Sequence, residues 1–471
     1  MMDQFTEIDA AASLTACAAQ FAATTHYDDI PANVLCNAKK NILDTIGVAV
    51  AGAQAEGSVI LRRYIESLGC NGGDATVFGS ALRALPRFAA LANASAMHAD
   101  DFDDSFPSRL HSSSPVLAAA FAEAEHGAAS GKDLLAAFCV GTELTCKVVQ
   151  TMNPEHYARG YHATSTCGVF GATAAVCNLR RMSPVATATA LGIAGSEAAG
   201  LRENFGTMVK PLHAGRAAEN ALVAVELVEQ GFTATRTILE GPRGFFTAGG
   251  GSFDEKTMRG KFGNPWCYLT PGIAIKPFPS GWLTHPGMCE LLAFVTKHDL
   301  QPQQIARLAV RTNRVLPLNL TYHRPVTGLQ GKFSMEFCLA SIAVLRRAGL
   351  VEFSDEVVNR PDIQKFFDKI DYSVYSDEEA AANRYTMLTT FLDITLEDGR
   401  TFALRVDAAK GSPEFPMDEE EVAEKVRGCT RFAGWAAPRT EQLIEAILQL
   451  ETIDDLRSIS NLLRTDIARG Q

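Results

Sequence analysis

The chain has 471 residues, of which 47% are hydrophobic and 21% charged, and its formal net charge is −11. This length leaves room for roughly two to four domains, and the composition is typical of a globular protein and excludes long disordered stretches. Because nucleic acids and anionic membranes bind basic surfaces, we expect neither as a partner. The negative net charge is still compatible with a small anionic substrate, since a few buried basic side chains can bind it.

The N-terminus and the cysteines bear on localisation. Asp3, Glu7 and Asp9 stand where a secretory signal has a basic start and an apolar core. No apolar run reaches the roughly 18 residues that a membrane span needs. Eleven cysteines are scattered from Cys17 to Cys429 without a CxxC pair. An odd number without paired spacing predicts reduced thiols and a cytoplasmic protein.

Residues 1–265 have the pattern of consecutive helices. Ser114 followed by proline predicts a helix N-terminus, and Gly127 predicts its end. Ser183 followed by proline repeats the signal, and residues 213–231 show helical spacing that ends at a glycine. The many alanines and glycines indicate closely packed, buried helices.

The pattern changes near residue 265, where a segment rich in proline and glycine predicts a linker. Ile305–Thr312 alternates apolar and polar residues like a half-buried strand, and residues 391–407 predict a hairpin with its turn at Asp398-Gly399. Helical spacing returns after Asp418, which with Glu421 resembles a capping box, and continues through 440–450 and 453–463. We expect these last helices to rejoin the first domain.

Several well-known catalytic motifs are missing. The chain has no HExxH zinc motif, no GxSxG nucleophile elbow and no GxGxxG nucleotide-binding loop. The segment GAASGKD at 127–133 has the wrong spacing for a phosphate-binding loop. Any catalysis must therefore depend on His, Asp, Lys, Tyr and Ser side chains.

The densest polar segment, residues 98–105, reads HADDFDDS and ends an alanine-rich helix. Its four carboxylates repel one another and meet the negative end of the helix dipole, so they need cations nearby. Lys, Arg or His side chains are one source, and a DDxxD magnesium site is another, although the second acidic motif of such sites is missing. A solvated acidic helix end is the structural alternative.

Further polar segments carry candidate acids, bases and cations. His111 and His162 each lie in a polar loop just before a predicted helix, a common setting for anion sites. Lys210 precedes an apolar helix, where it could bind a carboxylate with help from Arg202. The last part of the chain offers the remaining candidates, which are Lys276, His285, Tyr322 and Lys332.

Taken together, these segments resemble the MmgE/PrpD family, which includes 2-methylcitrate dehydratase, cis-aconitate decarboxylase and iminodisuccinate epimerase. The resemblance is carried, in family order, by HADDFDDS…HSSSP (98–115), GYHATSTCGVFGA (160–172), FGTMVKPLHAGRAA (205–218), IKPFPSGWLTH (275–285) and YHRPVTGLQGKFSMEF (322–337).

The resemblance implies a mainly α fold, with a large all-helical domain of residues 1–267 and 408–471 and a smaller α+β lid of residues 268–407. It also implies a homodimer without metal or organic cofactor, whose polar segments converge on a cleft between the domains. Two departures from the family pattern stand out. Ser105 replaces a common Thr, and Gly281 stands where animal decarboxylase-like members have His, although fungal members lack that His too.

The activity implied is proton abstraction next to a carboxylate of a small di- or tricarboxylate. His111 and His162 would be base and acid in either order, Asp101 would orient an imidazole, Lys210 would neutralise a carboxylate and Tyr322 would close the site. The residues expected to help bind the substrate are Ser105, Arg202, Lys276, His285 and Lys332.

Dehydration of a citrate-like substrate is the first hypothesis. Epimerisation of an iminodisuccinate-like dicarboxylate is the second, and a decarboxylase is the least favoured enzyme because of Gly281. The alternative of another class is a non-catalytic dimeric protein that binds carboxylates. The intact His111, His162, Lys210 and Tyr322 argue against it.

Overall fold

The computed structural model describes residues 13–70, 72–107 and 109–464 and divides the chain into two compact units. The larger unit lies within Met1–Ala99, Asp103–Ile273 and Glu419–Gln471, and the smaller within Asp100–Phe102 and Ala274–Asp418. Helices dominate the described residues, so the prediction of a mainly α protein is confirmed. Asp100–Phe102 belongs to the smaller unit although both of its flanks belong to the larger one.

The N-terminal part of the larger unit is a succession of helices. They are α1 (Leu14–Thr24), α2 (Ala32–Gly52), α3 (Glu56–Ser67), α4 (Pro86–His98), α5 (Ser113–His126), α6 (Gly131–Met152), α7 (Glu155–Ala158), α8 (Ala163–Thr166), α9 (Gly168–Leu179), α10 (Pro184–Ser196), α11 (Val209–Glu229) and α12 (Phe245–Gly250). A short antiparallel pair, β1 (Ala75–Thr76) and β2 (Arg83–Ala84), corrects the prediction that this unit is helical throughout.

Small residues let the central helices approach closely, as the alanine- and glycine-rich sequence predicts. A Cβ at Gly141 on α6 would lie 2.6 Å from the carbonyl oxygen of Gly171 on α9, so no larger residue fits there. Helix α6 is long and apolar enough to span a membrane, but 94% of its apolar window is buried inside the unit. It is therefore packed as a core helix.

Some of the predicted helix ends are confirmed, and others differ from the structure by one or more residues. The Ser183 side chain accepts a hydrogen bond from the Ala186 amide at the start of α10, and Gly127 follows the last residue of α5. Helix α5 begins one residue before Ser114, however, and Ser112 takes the cap position. Helix α11 begins at Val209 rather than at residue 213, because proline is tolerated in a first helical turn.

The smaller unit combines short helices with one sheet. Its helices are α13 (His285–Lys297), α14 (Gly328–Gly331), α15 (Met335–Leu345), α16 (Asp355–Val358), α17 (Pro361–Phe366) and α18 (Asp377–Asn383), and its strands are β3 (Ile305–Thr312), β4 (Ile370–Val374), β5 (Thr390–Leu396) and β6 (Thr401–Val406). The sheet order is β4-β3-β5-β6, with β3 and β4 parallel and the other pairs antiparallel.

The predicted strand and hairpin are confirmed. Strand β3 has the predicted bounds, and β5 pairs with β6 so that Leu392 faces Leu404 and Ile394 faces Phe402. Asp398-Gly399 forms the turn, with Gly399 at a φ of 86°. The alternation of side chains buries one face of this sheet, against which α13 packs.

The chain then returns to the larger unit through α19 (Glu419–Phe432), α20 (Ala437–Leu448) and α21 (Arg457–Leu463). Helices α19 and α20 pack against α2, so these C-terminal helices share one unit with the N-terminal ones. Helix α21 begins at Arg457, four residues later than the predicted start at Ile453.

Candidate active site

Four imidazoles and one lysine lie together in the larger unit, at the ends of its helices. His98 is the last residue of α4, and His111 precedes α5. His162 caps α8, and Lys210 and His213 lie in the first turns of α11, three residues apart and so on one face. We call these five residues the imidazole cluster.

Asp103 is the carboxylate of this cluster. Its side chain is fully buried, and its oxygens lie 2.8 Å and 3.0 Å from His98 Nδ1. His111 Nδ1 lies 3.4 Å from the same carboxylate and donates a 2.6 Å hydrogen bond to the Asp104 carbonyl oxygen. Ser114 Oγ also donates to Asp103. The buried negative charge therefore contacts two imidazoles and one hydroxyl.

Lys210 determines which nitrogen of His98 carries the proton. The Lys210 Nζ lies 2.9 Å from His98 Nε2, and its side chain is 4% exposed. An ammonium can only donate, so His98 Nε2 accepts and Nδ1–H donates to Asp103. Lys210, His98 and Asp103 thus form one directed chain of hydrogen bonds.

His162 and His213 share a hydrogen bond of 3.0 Å between their Nδ1 atoms. His162 Nε2 is buried and has no hydrogen-bond partner among the residues that the structure describes. Because a buried, unpaired N–H is rarer than an unpaired acceptor, we assign the proton of His162 to Nδ1 and leave Nε2 as the basic nitrogen.

Burial and the positive charge of Lys210 control the protonation of these two rings. Desolvation lowers the pKa of His162 well below its usual value, with Lys210 as the next cause. Desolvation also lowers the pKa of His213, to about 4, helped by His98 and Lys210. The Phe205 ring packs edge-on against His162 with 5.0 Å between ring centroids. Both imidazoles are therefore neutral at pH 7.

Asp104 fixes the N-terminus of α5 beside the cluster. Its carboxylate accepts hydrogen bonds from the amides of Ser112 and Ser113 and from the Ser112 hydroxyl. Burial and the neighbouring Asp103 raise the pKa of Asp104 to about 7, against the opposing effect of these hydrogen bonds. Asp104 thus caps α5, a role that the sequence analysis gave to Ser114.

The remaining predicted site residues divide between the units. Ser105 and Arg202 belong to the larger unit with His111, His162 and Lys210, and Asp101, Lys276, His285, Tyr322 and Lys332 belong to the smaller. Within the smaller unit Lys276 is buried 3.2 Å from the Asp101 carboxylate, and Lys332 lies 3.1 Å from that of Asp100. His285 Nε2 lies 3.3 Å from Ser280 Oγ.

The acidic segment is thus buried for the most part and has the basic partners that its charge requires. Asp100 and Asp101 pair with lysines, and Asp103 pairs with histidines. A solvated acidic helix end is therefore the wrong interpretation for Asp101, Asp103 and Asp104, which are all buried. The carboxylate found against His98 is Asp103, whereas the sequence analysis expected Asp101 to orient an imidazole. The catalytic role of Asp101 stays a prediction.

His98, Asp103 and His213 contribute to the cluster but were not among the site residues predicted from the sequence. The signal was present, since His98 and Asp103 lie in the acidic segment and His213 follows Lys210 by three residues on a predicted helix. His98, Asp103 and His111 also offer the nitrogen and oxygen donors from which a metal site could be built. The proton on His98 Nδ1, which Lys210 imposes, occupies one of these donors.

Comparison with known proteins adds the family. The MmgE/PrpD N-terminal domain matches residues 17–257, and the MmgE/PrpD C-terminal domain matches residues 278–450. The cis-aconitate decarboxylase of Homo sapiens is 28% identical over 446 residues, covering 92% of this chain and 90% of that protein. That of Aspergillus terreus strain NIH 2624 is 27% identical over 499 positions, covering 99% of each. The cis-aconitate decarboxylase-like protein oryM of Aspergillus oryzae is 26% identical, covering 93% and 95%.

Proposed function

Since this chain belongs to the MmgE/PrpD family, we propose that it is a lyase that forms a carbanion next to a carboxylate of a small di- or tricarboxylate. One observation carries the proposal. His162 is a buried, neutral imidazole with a basic Nε2, next to the cationic Lys210 and the charged Asp103 network. Such a site holds a base and stabilises negative charge that develops nearby.

Decarboxylation of a cis-aconitate-like substrate is the reaction that we place first. The relatives reported above bear the name of this reaction, and they favour it over the dehydration that the sequence analysis placed first. In this reaction the bond to the leaving carboxylate breaks, its electron pair stays on the substrate carbon, and carbon dioxide departs. Lys210 would neutralise a remaining carboxylate, and an imidazolium would return a proton to carbon.

Dehydration remains the second candidate because two imidazoles of the cluster, His111 and His162, lie in different electrostatic environments. His162 is desolvated and neutral, which suits a base, whereas His111 Nδ1 lies 3.4 Å from the Asp103 carboxylate, a setting that suits an acid. Removing a proton and a hydroxide needs both roles, and decarboxylation needs only the acid. Epimerisation of a dicarboxylate would use two bases and is the third candidate.

The test combines substrates with variants. The protein is incubated in deuterated water with cis-aconitate, 2-methylcitrate or iminodisuccinate, and released carbon dioxide, alkene absorbance and incorporated deuterium are measured. We expect His111→Ala to lower the rate of each candidate reaction by at least about 100-fold, the low end of general acid–base contributions, and His162→Ala to do the same for any reaction that removes a proton. His126→Ala is the control, since this exposed histidine pairs with the exposed Asp74.

The products separate the candidates. Carbon dioxide supports decarboxylation, a new alkene without carbon dioxide supports dehydration, and deuterium in an intact skeleton supports epimerisation. Normal rates in both alanine variants would show that the imidazoles are structural, and this proposal would then be wrong.

Two further properties belong to the same proposal. We infer a cytoplasmic protein, supported by eleven free cysteines of which most are buried. We also infer a homodimer, supported by exposed apolar side chains such as Ile60 and Tyr64, which share one face of α3.

A further inference from the structure

Two arginines in the larger unit lie against the same aromatic ring. The guanidinium carbon of Arg202 lies 3.8 Å from the Tyr157 ring centroid, and that of Arg109 lies 4.8 Å from it. Arg202 is anchored there, because its NH1 donates a 2.9 Å hydrogen bond to the Tyr157 carbonyl oxygen. Arg202 already forms a cation–π contact with the Tyr157 ring, so this ring alone does not account for the position of Arg109.

Arg109 is the second cation, and its surroundings are unfavourable. The side chain is half-buried and makes no hydrogen bond or ion pair with any residue in 13–70, 72–107 and 109–464. Desolvation lowers the pKa of Arg109, Tyr157 partly opposes this effect, and the positive charge of Arg202 adds to it. A half-buried guanidinium beside a like charge is costly until an anion binds.

The backbone holds Arg109 in this position. Its φ is 62°, a left-handed conformation that is uncommon for a residue with a side chain. The Arg109 amide donates to the Phe106 carbonyl oxygen, and Phe106 in turn pairs with Leu110. This turn leads directly into His111, so the same loop presents a guanidinium and a candidate catalytic imidazole.

Phe205 links the arginines to the imidazole cluster. Its ring centroid lies 5.8 Å from the guanidinium carbon of Arg202, 5.5 Å from Lys210 Nζ and 5.0 Å from the ring centroid of His162. Arg202 is therefore separated from the candidate base by one aromatic ring, and Arg109 lies against Tyr157, the other ring that Arg202 contacts. A second cationic group, Arg202, thus contacts the same aromatic ring as Lys210.

We propose that Arg109 and Arg202 form an oxyanion-binding subsite beside Tyr157, which takes a second carboxylate of the substrate or a free phosphate. The proposal deepens the proposed function and rests on it for the substrate's chemistry. Two planar guanidiniums offer paired N–H donors that match the oxygens of a carboxylate or phosphate. Binding the anion removes the mutual repulsion of the arginines.

The test measures binding by calorimetry with two probes that are not turned over, inorganic phosphate and propane-1,2,3-tricarboxylate. Arg109→Gln keeps a polar side chain, and we expect it to weaken both affinities by about 10-fold, since a charge-assisted contact is lost. Arg109→Lys keeps the charge but not the paired donors, so its affinities should lie between those of Arg109→Gln and the parent protein. Arg63→Gln, an exposed arginine on α3, is the matched control and should bind like the parent.

Competition between the probes identifies the source of the anion. Phosphate that displaces the tricarboxylate supports a subsite for the substrate's carboxylate. Phosphate binding that depends on Arg109, together with tricarboxylate binding that does not, supports a site for a free anion. Unchanged affinities in Arg109→Gln, or no phosphate binding by the parent, overturn the subsite. Binding that depends on Arg109 in a protein that turns over no polycarboxylate would leave the subsite standing and refute the proposed function alone.

Discussion

Asp103 has no exposed surface, and its carboxylate accepts hydrogen bonds from His98 and Ser114. An Asp103→Asn change keeps the shape but turns one acceptor into an amide donor, which would face the donors already there. His98 Nδ1–H would then lose the charged acceptor to which it donates. We expect turnover to fall by at least about 100-fold while the fold persists, because the imidazoles of an acid–base network lose the carboxylate that orients them.

A matched control for this change is Asp74→Asn. Asp74 also pairs with an imidazole, since its Oδ2 lies 2.7 Å from His126 Nδ1, but this pair is exposed. Steady-state rates, with circular dichroism to verify folding, should show a loss for Asp103→Asn only. A folded Asp103→Asn protein with the parent rate would exclude a role for this carboxylate in the reaction.

The donor set of Asp103, His98 and His111 leads to a prediction about metals. Lys210 donates to His98 Nε2, so Nδ1 carries a proton and cannot bind a metal ion, while His111 Nδ1 donates to a carbonyl oxygen. We therefore expect protein treated with EDTA and freed of the chelator to keep full activity. Loss of activity that added magnesium restores would instead support the DDxxD interpretation of the acidic segment.

At the scale of elements, two glycines in open space should respond oppositely to alanine. Gly428 lies inside α19, and Gly399 lies in the hairpin turn at a φ of 86°. An added Cβ meets no heavy atom within 4 Å at either position. Gly428→Ala should stabilise by about 0.5–1 kcal/mol, since alanine favours helices, whereas Gly399→Ala should destabilise by about 1–2 kcal/mol, since alanine disfavours a positive φ.

Denaturant midpoints of the two variants, measured side by side, check this pair. Packing contributes to neither change, so each result reports backbone conformation alone. A Gly399→Ala protein as stable as the parent would show that the turn adopts another conformation.

At the scale of the whole molecule, buried neutral histidines make the protein sensitive to acid. Burial lowers the pKa of His156 and of His213 to about 4, and that of His162 falls well below its usual value. Between pH 6.5 and pH 4 the unfolded chain binds more protons at these residues than the folded chain. The free energy of unfolding therefore decreases as the pH falls through this range.

Asp104 has the opposite effect, because its pKa is raised to about 7 and the folded state binds the extra proton between pH 4 and pH 7. Three histidines outweigh this one carboxyl, so the net result is a loss of stability in acid.

His156 offers a test of this loss outside the imidazole cluster. Its Nε2 lies 2.7 Å from Thr166 Oγ1 and its Nδ1 lies 3.2 Å from the Gly249 carbonyl oxygen. From pH 7.5 to pH 5, His156 should account for about 2 kcal/mol of lost stability. His156→Gln should therefore show a smaller change in denaturant midpoint between these pH values than the parent, whatever its absolute stability. An equal change in both proteins would contradict the pKa shift of His156.

Local sequence patterns predicted the helices, strands and turns correctly wherever interactions between near neighbours in the chain determine them. The bounds of β3, the turn at Asp398-Gly399 and the cap at Ser183 all depend on neighbours a few residues away. The start of α5 was not predicted correctly, because its first amides donate hydrogen bonds to the carboxylate of Asp104, which lies outside the helix. The short β1–β2 pair also escaped prediction, since two-residue strands leave almost no periodic signal.

The sequence by itself determined the family, the mainly helical fold and the segments that carry the polar residues, because these depend on composition, spacing and order along the chain. Only the tertiary structure decided the pairings among those residues. It placed Asp103 against His98, brought Lys210 within hydrogen-bond distance of His98, and paired His162 with His213. Contacts between residues such as His98 and Lys210 depend on how α4 packs against α11, and no local pattern encodes that packing. For the same physical reason the burial that keeps His162 neutral becomes visible only when the helices are assembled.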